Sequence, residues 1–377
     1  MAWWLLYSHS MPLAIFQTGI SIRYLRLMTV YGTLLGFLWT STHVALAGSA
    51  NEPAPSEPVN SQTLQWVPTQ EEIRKYRQSW NPLSNGPILL SAVDINPAGQ
   101  FHSQYFVFGE IGHQSFGNTL STQMTNSSLH LTAVEPLLTL GYGLTDHLEF
   151  DAAFTALYWN ATQETEGGRT SSSGSGLGDT ALYLKYRPVI QDPDSWRPSI
   201  TIYNQVGLPT STWVGTPPIP GNFTPLGKLP ATSFGSLSLT EGVLLRKNIN
   251  PFRFSGGAFY TYAVPGNSAG MTTYQGDIIN TRFITEYIFN EKHGLGFNIE
   301  LVTVHGLSNR LDGHPVNVNP TSFNLFGIEP AFQFKFGPIV GAVGVLFTLA
   351  GQNDIAAIYP NISLYYYWGR NGEGVMR

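Results

Sequence analysis

Glu135, Glu149, Asp151, Glu286, Glu300 and Glu329 sit in stretches where polar and apolar residues alternate, and so do Lys185, Arg187, Arg253, Arg282 and Lys335. Successive side chains of a strand point to opposite faces, so these charges share the polar face of their stretches. Charges of both signs turned toward one interior can do two things. They can pair into a network that fills a narrow lumen, because an isolated buried charge is costly. They can also form a polar constriction that filters solutes. The near balance of sign speaks against strong anion or cation selectivity.

Nucleophilic catalysis needs a Ser and a His on one face. His113-Gln114-Ser115 has that i, i+2 spacing and resembles the His-x-Ser of outer-membrane phospholipases. The phospholipase motif continues Asn-Gly, whereas Phe116-Gly117-Asn118 follows here. His305-Gly306-Leu307-Ser308-Asn309 puts its His and Ser on opposite faces. No catalytic residues are therefore expected. The nine histidines are scattered; His305, Asp312 and His314 on one long loop suit a solvated loop better than a metal site. Gly174 to Gly178 opens a strand, not the helix a phosphate loop requires. Asp179, between flexible residues at a strand mouth, is expected to cap its turn. Gly256, Gly257, Gly341 and Gly344 are expected to relieve strand curvature. Neither metal nor cofactor is implied.

The elements holding these residues are strands. Only 11% of the 377 residues are charged, against roughly 25% in a soluble domain. Mean hydropathy is nevertheless close to neutral, at -0.03. Polar uncharged residues and 39 glycines dilute the apolar ones, as happens where lipid-facing and lumen-facing residues alternate. A net charge of -5 spread over both signs gives no basic stripe for nucleic acid. The absence of cysteine excludes disulfides and thiolate metal sites.

Alternation picks out about twelve segments: 100–110, 128–141, 146–158, 179–189, 198–208, 233–246, 251–264, 276–289, 293–305, 322–336, 338–349 and 354–368. Most are longer than the five or six residues of a soluble strand and suit a tilted strand crossing a bilayer. Phe326, Ile328, Phe332, Phe334 and Phe336 oppose Glu329, Gln333 and Lys335; Ile279, Phe283, Tyr287 and Phe289 oppose Asn280, Arg282 and Glu286. In 233–246, Glu241 falls in phase with Leu237, Leu239, Val243 and Leu245, which leaves its faces open. After even-numbered segments the links are tight, such as Gly143-Leu144-Thr145-Asp146 and Gly337-Pro338. After odd-numbered ones most are long: 111–127, 159–178, 209–232, 265–275 and 306–321. Short periplasmic turns and long external loops mark an outer-membrane barrel, and all-β architecture with about twelve antiparallel strands over 99–377 is the expected fold.

Ahead of the barrel, Arg23 and Arg26 precede an apolar run over 27–39, and Ala45-Leu46-Ala47 offers a cleavage site. This predicts a signal peptide over 1–47, with Met1 or Met11 as the start. Residues 48–98 read as a periplasmic linker with a short helix over 69–80, opened by a Thr69/Glu72 capping box. A plug inside the barrel is the alternative for that helix.

Three passages together resemble the outer-membrane MetA-pathway phenol-degradation family, whose members are often labelled transporters. Tyr142 to Glu149, with Asp146 in its turn, is the first passage. Gly176-Leu177-Gly178-Asp179 then enters a strand ending Lys185-Tyr186-Arg187, and Gly207-Leu208-Pro209-Thr210 leaves the next. Each is ordinary turn chemistry alone; their order carries the resemblance. It implies a barrel of about a dozen strands that passes or binds small hydrophobic or aromatic solutes. Outer-membrane lipid, those solutes and the export and barrel-assembly machinery are the partners expected in a Gram-negative cell. A surface structural or adhesive barrel working through loops 159–178 and 209–232 is the alternative. One departure is the tail from Gly369 to Arg377, beyond the aromatic residues Tyr366 and Trp368 that such barrels usually end on.

Overall fold

The computed structural model describes residues 88–369, except 166–167, 193–194, 211, 216–236, 250, 269–270, 275, 291–292, 309, 312–313, 316–321 and 337–338. The expected signal segment, the helix over 69–80 and the tail after 369 lie outside the described residues.

Twelve strands form one antiparallel ring. They are β1 (Gln100–Phe116), β2 (Met124–Thr145), β3 (Leu148–Thr165), β4 (Thr180–Val189), β5 (Ser199–Leu208), β6 (Ser238–Ile249), β7 (Phe252–Ala263), β8 (Ile278–Asn290), β9 (Leu295–Gly306), β10 (Phe323–Phe336), β11 (Ile339–Gln352) and β12 (Ile355–Gly369). Each pairs with its neighbours in sequence, and β12 returns to pair with β1 from Gln100↔Gly369 to Ser115↔Ile355. Closure removes both sheet edges. In hydrocarbon, where an unsatisfied backbone group costs several kcal/mol, that is what lets strands span. On the outside of the seam Phe101 stacks on Trp368 at 5.7 Å and meets Tyr142 at 4.4 Å.

The period-two pattern sorts the faces. Phe150, Phe154, Tyr158, Phe283, Tyr287, Phe297 and Phe332 are exposed on the outside, where lipid would lie, while the alternate positions are buried within. The open question in 233–246 resolves the same way: Leu244 and Arg246 point inward, and Glu241 shares the outer face with Val243 and Leu245. Glu241 is the fourth residue of β6, level with Tyr260 and Asn204.

Links after even-numbered strands collect at one end, here the turn end, and all but the nine residues between β4 and β5 are short; those after odd-numbered strands collect at the other, the loop end. At the loop end β11 to β12 is a two-residue turn in which Asn353 adopts φ 50°. Asn tolerates that left-handed conformation. Its side-chain amide donates to Ser322 O and its backbone N–H to Gly117 O, tying neighbouring loops together.

Part of the expected loop 159–178 is wall. β3 continues to Thr165 and pairs with a strand over Gly168–Leu177, which leads straight into β4. The break between these strands is Gly178-Asp179. A matching break at Pro209-Thr210 separates β5 from a short strand over Thr212–Gly215. Gly178 N–H donates to Thr155 O at 2.8 Å, and Thr180 N–H donates to the Thr210 hydroxyl at 2.8 Å. Two of the three family-like motifs therefore mark one coordinated irregularity in adjacent strands. Loops 264–277 and 307–322 contribute a separate small sheet.

The linker expectation for 48–98 needs correcting at its described end. Residues 88–98 do not hang below the barrel; they lie within it. Ile88, Leu89, Leu90, Val93 and Ile95 are buried, and Asp94 and Asn96 with them. The segment leaves the lumen through a turn in which Gln100 N–H donates to Pro97 O at 3.0 Å. Gly99 has φ 83° there, and the third position of a type II turn demands such freedom. Gly99 N–H also bonds Gly143 O at 2.9 Å, locking the turn to β2.

Candidate functional site: the barrel lumen

The lumen has two unlike halves. Toward the turn end it is charged and crossed by residues 88–98. Toward the loop end it is largely apolar.

At the turn end each charge has a structural assignment. Lys185 bridges Glu149 and, at 3.1 Å, Asp151. Asn96 N–H donates to Glu149 and its side-chain amide meets His102 at 2.6 Å. Asp94 receives Arg187 at 3.0 Å and also Arg246. Thr201 donates its hydroxyl proton to Val93 O. Arg282 donates to Leu89 O, and Glu300 accepts from the N–H groups of Ile88 and, at 3.2 Å, Leu89. Arg253 reaches Glu286 at 3.4 Å, and Gln333 donates to Glu286 at 2.9 Å. Glu329 stands across from Glu300 in the β9–β10 register. The main chain of 88–96 thus serves as partner to charges that face the lumen from β3, β8 and β9 and to a hydroxyl from β5. Each main-chain group met in this way escapes the desolvation cost of a buried, unpaired N–H or C=O.

Glycines make room for it. A Cβ on Gly257 would strike Leu90 at 2.7 Å and Leu244 at 2.8 Å; one on Gly344 would strike Glu329 at 2.6 Å and Ile88 at 3.1 Å. One on Gly141 would collide with His102 and Asp151. Sequence reasoning assigned Gly257 and Gly344 to curvature. Here they accommodate the lumenal segment.

Of the lumen candidates named from sequence, Glu149, Asp151, Lys185, Arg187, Arg253, Arg282, Glu286, Glu300 and Glu329 come together in this charged half. Lys335 is half-buried at the turn end, its N–H bonded to His293 O at 2.7 Å. Glu135 lies apart, on the loop side. Among the motif residues, Asp146 is exposed in the β2–β3 turn and accepts the Ala98 N–H at 3.0 Å, gripping the base of the lumenal segment. Gly176 pairs with Trp213, and Asp179 is buried at the strand break.

Sequence reasoning missed Asp94, His102, Glu110 and Arg246. His102 and Glu110 were within reach, since both lie in phase with Gln104 on β1. Asp94 was not, because it lies outside every alternating stretch. His102, Glu149 and Asp151 also form a group whose ligand atoms lie within 4.8 Å of one another. The Lys185 ammonium already bridges the two carboxylates, so the protein supplies its own cation there.

The loop-side half is lined by Phe106, Phe108, Leu131, Leu157, Trp159, Ile278, Val304, Leu325, Leu346 and Tyr359, all buried, with Thr240, Asn280, Thr348 and Asp354 among them. Phe108 stacks between Phe106 (6.1 Å) and Tyr359 (5.2 Å). His113 lies at the β1 bulge between Gly112 and Gln114 and packs against His130 at 5.6 Å. His305 faces outward and hydrogen-bonds Asn324.

A closed twelve-stranded ring with an apolar exterior and a polar-to-apolar interior defines the outer-membrane β-barrel class. No family model matches the chain, and no curated protein matches it. Among solved structures it is similar to the COG4313 outer membrane channel from Pseudomonas putida F1, with 14% identity over 74% of this chain and 99% of that one, at a TM-score of 0.56. More distant are the transport unit of the autotransporter AIDA-I from Escherichia coli (10% identity, 78% and 96% covered, TM-score 0.41) and the P. putida toluene transporter TodX (10%, 77% and 94%, TM-score 0.34). At these identities the likeness extends to the fold.

Proposed function

We propose that this protein is an outer-membrane channel that takes small apolar solutes into the loop-side half of its barrel. The carrying observation is the apolar lining from Phe106 to Tyr359, inside a barrel whose other half is charged and threaded by its own chain. A water-filled pore for polar solutes has no need of buried Trp, Phe, Ile and Val on its inner wall. An apolar molecule gains roughly 25 cal/mol per Å² of surface it buries there. Similarity to an outer membrane channel supports the reading, as does the resemblance to the MetA-pathway family. On this reading the chain is exported with cleavage after Ala47 and inserted by the barrel-assembly machinery of a Gram-negative cell. Residues 88–98 act as the inner closure.

Proteoliposomes containing the purified protein should take up a small aromatic hydrocarbon faster than liposomes lacking it, while sugars of similar size enter at the background rate. Uptake of the aromatic at the background rate would reject the proposal.

A further inference from the structure

The loop-side half contains two carboxylates that its apolar lining does not explain. Glu110 on β1 and Glu135 on β2 both point inward and are 4% and 2% exposed. In the β1–β2 register Glu110 opposes Ala133 and Glu135 opposes Phe108. The two acids are therefore diagonal neighbours on one face, a relation that long side chains bridge. Tyr359 hydrogen-bonds Glu110, and Asp354 stands close enough to interact with it electrostatically. Glu135 differs: both its oxygens are buried and neither has a hydrogen-bond partner. Among the described residues no Lys or Arg projects into this half. Every lumenal cation, from Lys185 to Arg282, is on the turn side or at mid-barrel among its own partners.

An unpartnered ionised carboxylate with apolar neighbours is costly unless a proton or a cation joins it, and a ligand that brings both charge and donors can supply the second. We infer that the loop-side lumen is a binding site for an apolar molecule bearing a protonated amine, with the ammonium held by Glu135 and Glu110 and the apolar body against Phe106, Phe108 and Trp159. An alkylammonium has three donors, enough to serve both acids. A divalent cation suits the place less well. Calcium takes 6–8 oxygen ligands, whereas an ammonium is served by three acceptors, and the wall around the pair is mainly apolar with Tyr359 and Asp354 beside Glu110. The inference rests on the apolar-solute reading and narrows its substrate class.

Titration calorimetry on the full-length protein in an uncharged maltoside detergent tests it, with n-octylamine and 1-octanol as matched probes. At neutral pH the amine is protonated, with a pKa near that of a lysine, about 10.4. A charge-assisted hydrogen bond should make octylamine bind about tenfold to a hundredfold more tightly than octanol. E135Q should abolish that preference, and E110Q should reduce it. Heat-modifiable migration on a detergent gel checks that each variant is a closed barrel.

Equal affinity for the two probes in the wild-type protein would overturn the inference, as would a preference that survives in the E110Q/E135Q double variant. Saturable calcium binding lost in E135Q, without any amine preference, would reassign the pair to a divalent ion and also overturn it. If octanol binds and the amine gains nothing, only this inference falls. If neither probe binds, the apolar-solute reading falls with it.

Discussion

Asp94 is the anchor whose removal most directly tests the lumenal closure. Its carboxylate takes Arg187 at 3.0 Å and Arg246 as well, with side-chain exposures of 5–6% for all three groups. Asp94→Ala leaves two buried guanidiniums facing an absent partner. Breaking a buried ion pair from one side costs about 3–5 kcal/mol. Arg187 keeps a bond to Asp146 O at 3.3 Å, which places the cost toward the lower end. The barrel wall does not depend on Asp94, since every ladder on β4 and β6 is main chain. The cost therefore falls on the docking of 88–98 and shifts its seated-to-released ratio by roughly two decades, at about 1.4 kcal/mol per decade. In planar bilayers D94A should open to a larger conductance far more often than wild type. The chain has no cysteine, so S91C is a clean probe: a water-soluble maleimide should label it slowly in the wild-type background and quickly with D94A. Unchanged conductance together with unchanged labelling, in a D94A barrel that still shows heat-modifiable migration, would refute the claim that Asp94 pins the segment.

Three further outcomes follow from the same structure. Gly257→Ala puts a methyl group within 2.7 Å of Leu90; overpacking of this kind costs about 1–3 kcal/mol, so conductance should rise in the same direction as for D94A but less. Trp368→Ala removes the ring stacked on Phe101 at the β1–β12 seam; with about 0.5–1.5 kcal/mol lost beyond area burial, the gel-shift unfolding temperature should fall while conductance is unchanged. Amino-terminal sequencing of protein purified from outer membranes should begin at Gly48; a start at Met1 or Met11 would show an uncleaved segment.

What the sequence determined about this protein is whatever repeats within a few residues. Strand alternation is a local rule, so twelve strands, the outward aromatics of 276–289 and 322–336, the inward Glu286, Arg282 and Glu329, and the sorting of most turns and loops by parity were all readable along the chain. Where a strand broke the local rule, as in 233–246 with Glu241 in the apolar phase, reading stopped; only the closed ring showed Glu241 to be on the outer face.

Two matters were decided by the tertiary structure alone. Ile88 to Asn96 has no period of two or 3.6, and its docking comes from groups far away in the chain, such as Glu300 and Arg282. Nothing local could announce it. The distribution of charge along the axis was hidden as well. Counted in sequence, the lumenal signs nearly balance; placed by strand stagger, the described cations gather in the charged half while Glu110 and Glu135 are left together in the apolar half. Height within a barrel depends on how each strand slides against its neighbours, and that is a property of the closed ring, not of any single strand.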